Sequence, residues 1–168
     1  MPIPQKVIKF LDSAKIKYEP IEHRTVFTAY DKAQTLKVPE KIIGKTLVVK
    51  FNKSYALVLI PANKNLDKGK LKKAVNDWRK KTKEKPIKTI DFVKEAWMKK
   101  NLKGVKIGAI PPFGSLWKLS TFIDKSLINQ PKIVVNGGDW NWSIEINPTN
   151  FKKLMPDLVI GSFSKTKK

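Results

Sequence analysis

The chain has 168 residues, and 35 Lys and Arg stand against 14 Asp and Glu, a formal net charge of +21. That length suits one domain with its own core, and a hydrophobic content of 41% excludes wholesale disorder. With no cysteine, a disulfide framework, a thiolate metal site and a cysteine nucleophile are all excluded.

Residues 4–14 read as a helix, because Val7, Leu11 and Ala14 fall at i, i+4 and i+7 with Ile8 alongside. Residues 17–22 form a short strand candidate. Thr28 reads as a helix N-cap with Asp31 as its capping-box partner, opening a helix to about Lys37, before Pro39. The β-rich runs 45–51 and 55–60 predict an antiparallel hairpin around Asn52-Lys53-Ser54. Asp67 caps the next helix, which buries Leu71, Ala74, Val75 and Trp78 and turns Lys70, Lys72, Lys73, Lys80 and Lys81 toward water. After Pro86, residues 90–100 read as a further helix with Val93, Ala96 and Trp97 inward.

Residues 105–110 and 119–124 are strand candidates. Residues 133–135 and 140–146 flank Asn136-Gly137-Gly138-Asp139, a hairpin-turn signal because glycine accepts positive φ. Trp140, Trp142, Ile144 and Ile146 alternate onto one face, which suggests core packing, with stacking on a base as the rarer use of a Trp. Asn147-Pro148 opens the last helix. The pattern predicts a mixed α/β (α+β) fold: one domain over residues 1–161, a mainly antiparallel sheet surrounded by helices, and a flexible basic tail over 162–168.

The basic side is almost all lysine, with Arg24 and Arg79 the only arginines. Codon bias explains lysine in place of arginine but not the shortage of acids. Residues 64–103 alone carry a net +10. A patch of that kind suits a polyanion such as RNA, against the plainer reading of a solvated surface. The longest apolar run, residues 55–62, is far below the ~20 residues that cross a membrane. Lys6, Lys9, Asp12 and Lys15 interrupt the N-terminus, so it does not read as a signal peptide, and a cytoplasmic protein is expected.

The inventory for catalysis is thin. His23 is the single histidine, so no His-based metal site exists, and it reads as a strand-end hydrogen-bonding group ahead of a general base. No Walker or GxGxxG motif is present, and no cofactor or metal is expected. An enzyme built from this chain would use backbone donors, lysine and its substrate's own groups. Two segments fit. Gly44-Lys45-Thr46-Leu47-Val48-Val49 puts a lysine at the start of a buried strand, where it is costly unless it meets an anion. Gly108-Ala109-Ile110-Pro111-Pro112-Phe113-Gly114 offers a stiffened loop whose N–H groups can hold an oxygen. Each alone also reads as a solvated lysine or a plain turn.

In order, these segments resemble the YbaK/prolyl-tRNA synthetase-associated editing domain family, over about residues 7–161. The resemblance rests on Glu22-His23 to Phe27-Thr28-Ala29, Lys45-Thr46-Leu47-Val48, Leu59-Ile60-Pro61-Ala62, Gly108-x-x-x-Pro112, Phe122-Ile123-Asp124 and the hairpin ending in Ile144-Glu145-Ile146. It implies a trans-acting aminoacyl-tRNA deacylase that hydrolyses the ester of a mischarged tRNA. The family's lysine falls on Lys45 and its glycine loop on Gly108 to Pro112. The implied roles are Lys45 at the phosphate or ester and the N–H groups of Gly108 and Ala109 at the oxyanion. Phe27, Thr28, Ile110, Pro112, Asp124, Gly137 and Gly138 are further pocket candidates. Pro111 departs from the pattern by removing an N–H donor and pushing Ile110 extended. The implied partners are mischarged tRNA and an aminoacyl-tRNA synthetase, with no membrane. A non-catalytic RNA-binding module and a hydrolase of another activated acyl ester stay open as alternatives.

Overall fold

A strand that is apolar at nearly every position must be covered on both faces. Residues 56–60 make such a strand, and Ala56, Leu57, Val58, Leu59 and Ile60 are all fully buried. The structure, a computed structural model, describes residues 3–26 and 28–167. Its first half runs α1 (Gln5–Ser13), β1 (Glu19–Glu22), α2 (Ala29–Leu36), β2 (Gly44–Phe51), β3 (Ser54–Pro61), β4 (Lys64–Leu66) and α3 (Lys68–Lys81). Its second half runs β5 (Ile90–Phe92), α4 (Glu95–Asn101), β6 (Ser120–Asp124), α5 (Lys125–Ile128), β7 (Ile133–Asp139), β8 (Trp142–Ile146), α6 (Pro148–Leu154), β9 (Val159–Gly161) and β10 (Ser164–Thr166).

β3 lies at the centre of a five-stranded sheet of order β5-β2-β3-β6-β9. β2 and β3 form the expected hairpin, Gly44 opposite Pro61 and Phe51 opposite Ser54. β6 joins β3, and β9 joins β6, in parallel, so this sheet is mixed. A separate antiparallel sheet has the order β1-β8-β7.

The period of two along β3 divides the core. Ala56, Val58 and Ile60 face α3, where they pack with Leu71, Val75, Phe122 and Phe163. Phe122 meets Phe51, Trp78 and Phe163 edge-on there. On the other face, Leu59 packs with Val7 and Leu11 of α1, Ile133 and Val135 of β7, and Ile144 and Ile146 of β8. The two sheets also touch through a parallel bridge between Ile43 and Val134. Two residues beyond each partner come Lys45 and Asn136.

The mixed α/β architecture agrees with the sequence reading, and four local expectations change. Residues 90–100 split into β5 and α4, because Ile90–Phe92 pairs with the free edge of β2 (Ile90 opposite Phe51) and Ala96 is exposed. Residues 105–110 form a loop closed by a turn from Ala109 N–H to Lys106 O (3.0 Å) and not a strand. Gly137 and Gly138 lie inside β7 as a bulge, and Trp140-Asn141 makes the reversal, with Asp139 opposite Trp142. The tail expected to fray from Ser162 instead holds β10, which pairs with β4.

The buried face of α3 gives a direct check. Leu71→Ala removes a side chain with no exposure, and the loss of stability should be about 2–5 kcal/mol by urea unfolding. Lys72→Ala on the exposed face should change it by less than about 0.5 kcal/mol.

Candidate functional site

α2, the start of β2, the loop 106–110 and the bulge of β7 converge on a cavity of about 370 Å³. Thr28 caps α2, its hydroxyl accepting from Asp31 N–H (3.0 Å), and also lines this cavity. Small apolar side chains on α2 and the adjoining strands (Ala29, Ile43, Ala62) make the wall, while Lys32, Lys45, Thr46 and Asn136 supply polar groups.

Lys45 is half-buried at the mouth of β2. Its ammonium donates to Lys64 O (3.1 Å). Burial lowers its pKa, the cation of Lys167 lowers it further, and Glu40 opposes both. Lys45 belongs to none of the three ion pairs among the described residues.

The loop opposite is held by the bulge. Gly138 has φ +95°, a conformation open to glycine, and a Cβ there would come within 3.1 Å of Pro4 and Val105. In that conformation Gly138 N–H donates to Ala109 O (2.9 Å) and Gly138 O accepts from Lys106 N–H (2.9 Å). Trp140 Nε1 donates to Ile107 O (2.8 Å) and Asn136 Nδ2 to Ile110 O (3.2 Å). Lys106 closes the arrangement with Asp139 (3.1 Å) and lies over the Trp140 ring. Burial alone would raise the Asp139 carboxyl, but the Asn141 N–H and the Lys106 ammonium outweigh it and hold its pKa below the usual range.

So fixed, Gly108 has φ +91° and is exposed in the cavity. Its N–H meets no acceptor among the described residues. Ala109 also lines the cavity, but its N–H is committed to Lys106 O, which leaves Gly108 as the available donor.

The structure therefore brings Lys45, Gly108, Ala109 and Thr28 together and sorts the other candidates away. Ile110 lines a neighbouring cavity of about 280 Å³ that shares Thr46, Gly108 and Asn136. Pro112 is buried and lines neither cavity. Gly137 and Gly138 lie buried behind the loop they support. Asp124 lines neither cavity: its carboxylate accepts from Ser126 N–H (3.2 Å), Phe163 N–H (2.7 Å) and Ser164 N–H (3.1 Å), tying the C-terminal segment to α5. Phe27 lies outside the described residues. His23 donates from Nδ1 to Arg24 O (2.8 Å) and accepts at Nε2 from the Ser143 hydroxyl (2.9 Å), an assignment made from the partners. Burial chiefly lowers its pKa, so it is neutral at pH 7.

Two residues, Lys32 and Asn136, are not site candidates in the sequence, and a third, Trp140, reads there chiefly as core. Lys32 is 5% exposed and donates to Asn136 Oδ1 (2.5 Å). Its signal was present, since Lys32 shares a helix face with Ala29, Ala33 and Leu36 at i+3 and i−4 spacing. Asn136 links Lys32 to the loop, and only its place before two glycines marked it. Trp140 reaches the cavity because it stands in the reversal and not on β8, where Ile144 and Ile146 are buried as expected.

The model of a family described as the aminoacyl-tRNA editing domain matches residues 23–154. No curated protein matches the chain. Among solved structures, the hypothetical protein APE2540 superposes with a TM-score of 0.81 at 21% identity, covering 96% of this chain and 100% of that one. A candidate trans-editing enzyme for prolyl-tRNA synthetase superposes with a TM-score of 0.78 at 21% identity, covering 98% of each chain. At these identities the likeness establishes the fold.

The buried lysine has a pH signature. Burial pushes Lys32 down to about 8 from 10.5, so between those values the unfolded chain binds the extra proton and stability rises with pH. Burying the cation weakens the fold at neutral pH, and that penalty fades above pH 8. Relative to Lys32→Met, the wild type should gain on the order of 2 kcal/mol between pH 7 and pH 10 in chemical unfolding.

Proposed function

Since the chain belongs to the aminoacyl-tRNA editing domain family, we propose that it is a trans-acting deacylase for mischarged tRNA. The observation that carries this is the cavity itself, which is lined by a half-buried lysine and by a glycine whose N–H meets no acceptor among the described residues. An ester carbonyl becomes an oxyanion when water attacks it, and fixed donors stabilise that charge in a site shielded from solvent. Gly108 N–H is the donor for that oxygen. The Lys45 ammonium steadies the same charge or the phosphate beside it. Water adds to the acyl carbon, the ester C–O bond breaks, and the terminal ribose oxygen leaves with a proton. A ribose hydroxyl of the substrate orients the water, because His23 is engaged elsewhere and Asp139 is paired.

The proposed grip on tRNA extends along α3. Lys68, Lys72, Lys73, Lys80 and Lys81 are exposed on that helix. Lys70 donates to Ser164 O (3.1 Å) at the start of β10. Lys167, at the far end of the same segment, lines the cavity. This cationic trail suits an acceptor stem whose terminal ester enters the cavity, and a synthetase can deliver that stem.

Two measurements test the reading. Lys45→Ala should lower kcat/KM for misacylated tRNA at least about a hundredfold with the melting temperature little changed. Undiminished turnover in that variant would remove Lys45 from the chemistry, and tRNA binding without any release of amino acid would favour an RNA-binding module. For the trail, log affinity for tRNA should fall linearly with log salt, and Lys72→Ala with Lys73→Ala should flatten the slope by about one per lysine in contact. An unchanged slope would place the tRNA elsewhere.

A further inference from the structure

Lys32 is the deepest cation of the cavity, and ester hydrolysis as described gives it no part. Lys167 is exposed, Lys45 half-buried and Lys32 buried, and all three line the cavity. Small apolar groups from Ala29, Ile43 and Ala62 also line it. A buried ammonium in such surroundings is unfavourable unless an anion meets it.

No anionic group among the described residues does so. Asn136 takes one N–H of Lys32 with a neutral amide, and the other end of that amide holds Ile110 O. Asp139, the one carboxylate among the described residues that line the cavity, is bound by Lys106 and by Asn141 N–H (3.0 Å). Lys32 takes part in no ion pair among the described residues. The Thr46 hydroxyl, on β2, is buried and also meets no partner among them, and Thr46 lines the same cavity. Two cavity-lining residues thus carry a buried cation with no counter-charge and a buried hydroxyl with no hydrogen bond among the described residues.

The chemistry of the substrate decides which group arrives. The terminal phosphate and ribose are continuous with the rest of a tRNA and stay toward Lys45 and Lys167. The portion that can pass beyond the ester to buried Lys32 is the acyl side chain. Resting on the deacylase reading, we propose that Lys32 determines specificity by pairing with a carboxylate on that side chain, so the preferred substrates are esters of acidic amino acids. Thr46 Oγ donates a second hydrogen bond to the same carboxylate.

The test compares tRNA charged with aspartate, asparagine, glutamate, glutamine and alanine, each measured above its uncatalysed rate. The wild type should hydrolyse an acidic ester with kcat/KM at least about tenfold above its amide counterpart, the worth of one charge-assisted hydrogen bond. Lys32→Met should bring that ratio close to one, and Lys32→Arg should restore part of it. Hydrolysis of neutral esters by the wild type with a ratio near or below one overturns the assignment while leaving the deacylase reading in place. Failure to hydrolyse any of the five overturns both. Adenosine 5′-monophosphate, titrated by calorimetry, separates the other source of negative charge. Equal affinity for wild type and Lys32→Met supports the side-chain role, and a tenfold loss in the variant assigns Lys32 to phosphate and overturns it. If Lys32→Met does not fold, the wild-type ratio alone decides.

Discussion

Gly138 carries a positive φ inside β7, and from that one residue the N–H reaches Ala109 O while the carbonyl accepts from Lys106 N–H. The loop side of the cavity depends on this clasp. A loop with a proline pair after it has few ways to hold its own backbone, so its donors and acceptors must be satisfied from outside. The bulge does this with a glycine, the Asn136 amide and the Trp140 indole. Ala109 N–H is drawn into the turn, and the N–H of cavity-lining Gly108 is left without an acceptor among the described residues. The Ile43–Val134 bridge sets Lys45 and Asn136 at matching positions beyond it, and both line the cavity.

On the proposed reading, the cavity exchanges stability for binding. Lys32 on α2 occupies a position where an alanine would complete the apolar face formed by Ala29, Ala33 and Leu36. Placing an ammonium there weakens the fold at neutral pH. Sites that bind charge commonly hold such unfavourable groups, because the ligand supplies the missing partner. Lys45, closer to solvent, has the milder form of the same property. The overall charge of +21 therefore divides by depth: the lysines of α3 lie in water and are screened by salt, whereas two lysines in the cavity are not.

Local signals in the sequence carried much of the fold. The Thr28 and Asp67 caps and the β2–β3 hairpin each depend on neighbours within a few residues, and all three are present. What was illegible depended on distant partners. Residues 90–92 become a strand because β2 has an open edge, which no local period records. Residues 105–110 have a strand's composition, yet the bulge of β7 takes their hydrogen bonds. Tail residues 164–166 are ordered by β4, about a hundred positions earlier. Within the site, Lys45 and Gly108 stood out by motif. Lys32 did not, since in a chain with 35 basic residues one lysine on an apolar helix face looks like any other until the helix is packed.

The central claim is geometric: Gly108 N–H and the Lys45 ammonium bracket the reacting carbonyl of a tRNA-borne ester. It is tested most directly by a crystal structure with a non-hydrolysable analogue, an aminoacyl group joined through an amide to the terminal adenosine. The acyl carbonyl oxygen should accept from Gly108 N–H at about 2.7–3.2 Å, with Lys45 Nζ beside that oxygen or the adjoining phosphate. An analogue seated outside this cavity, or inside it with the carbonyl turned away from Gly108, would contradict the claim.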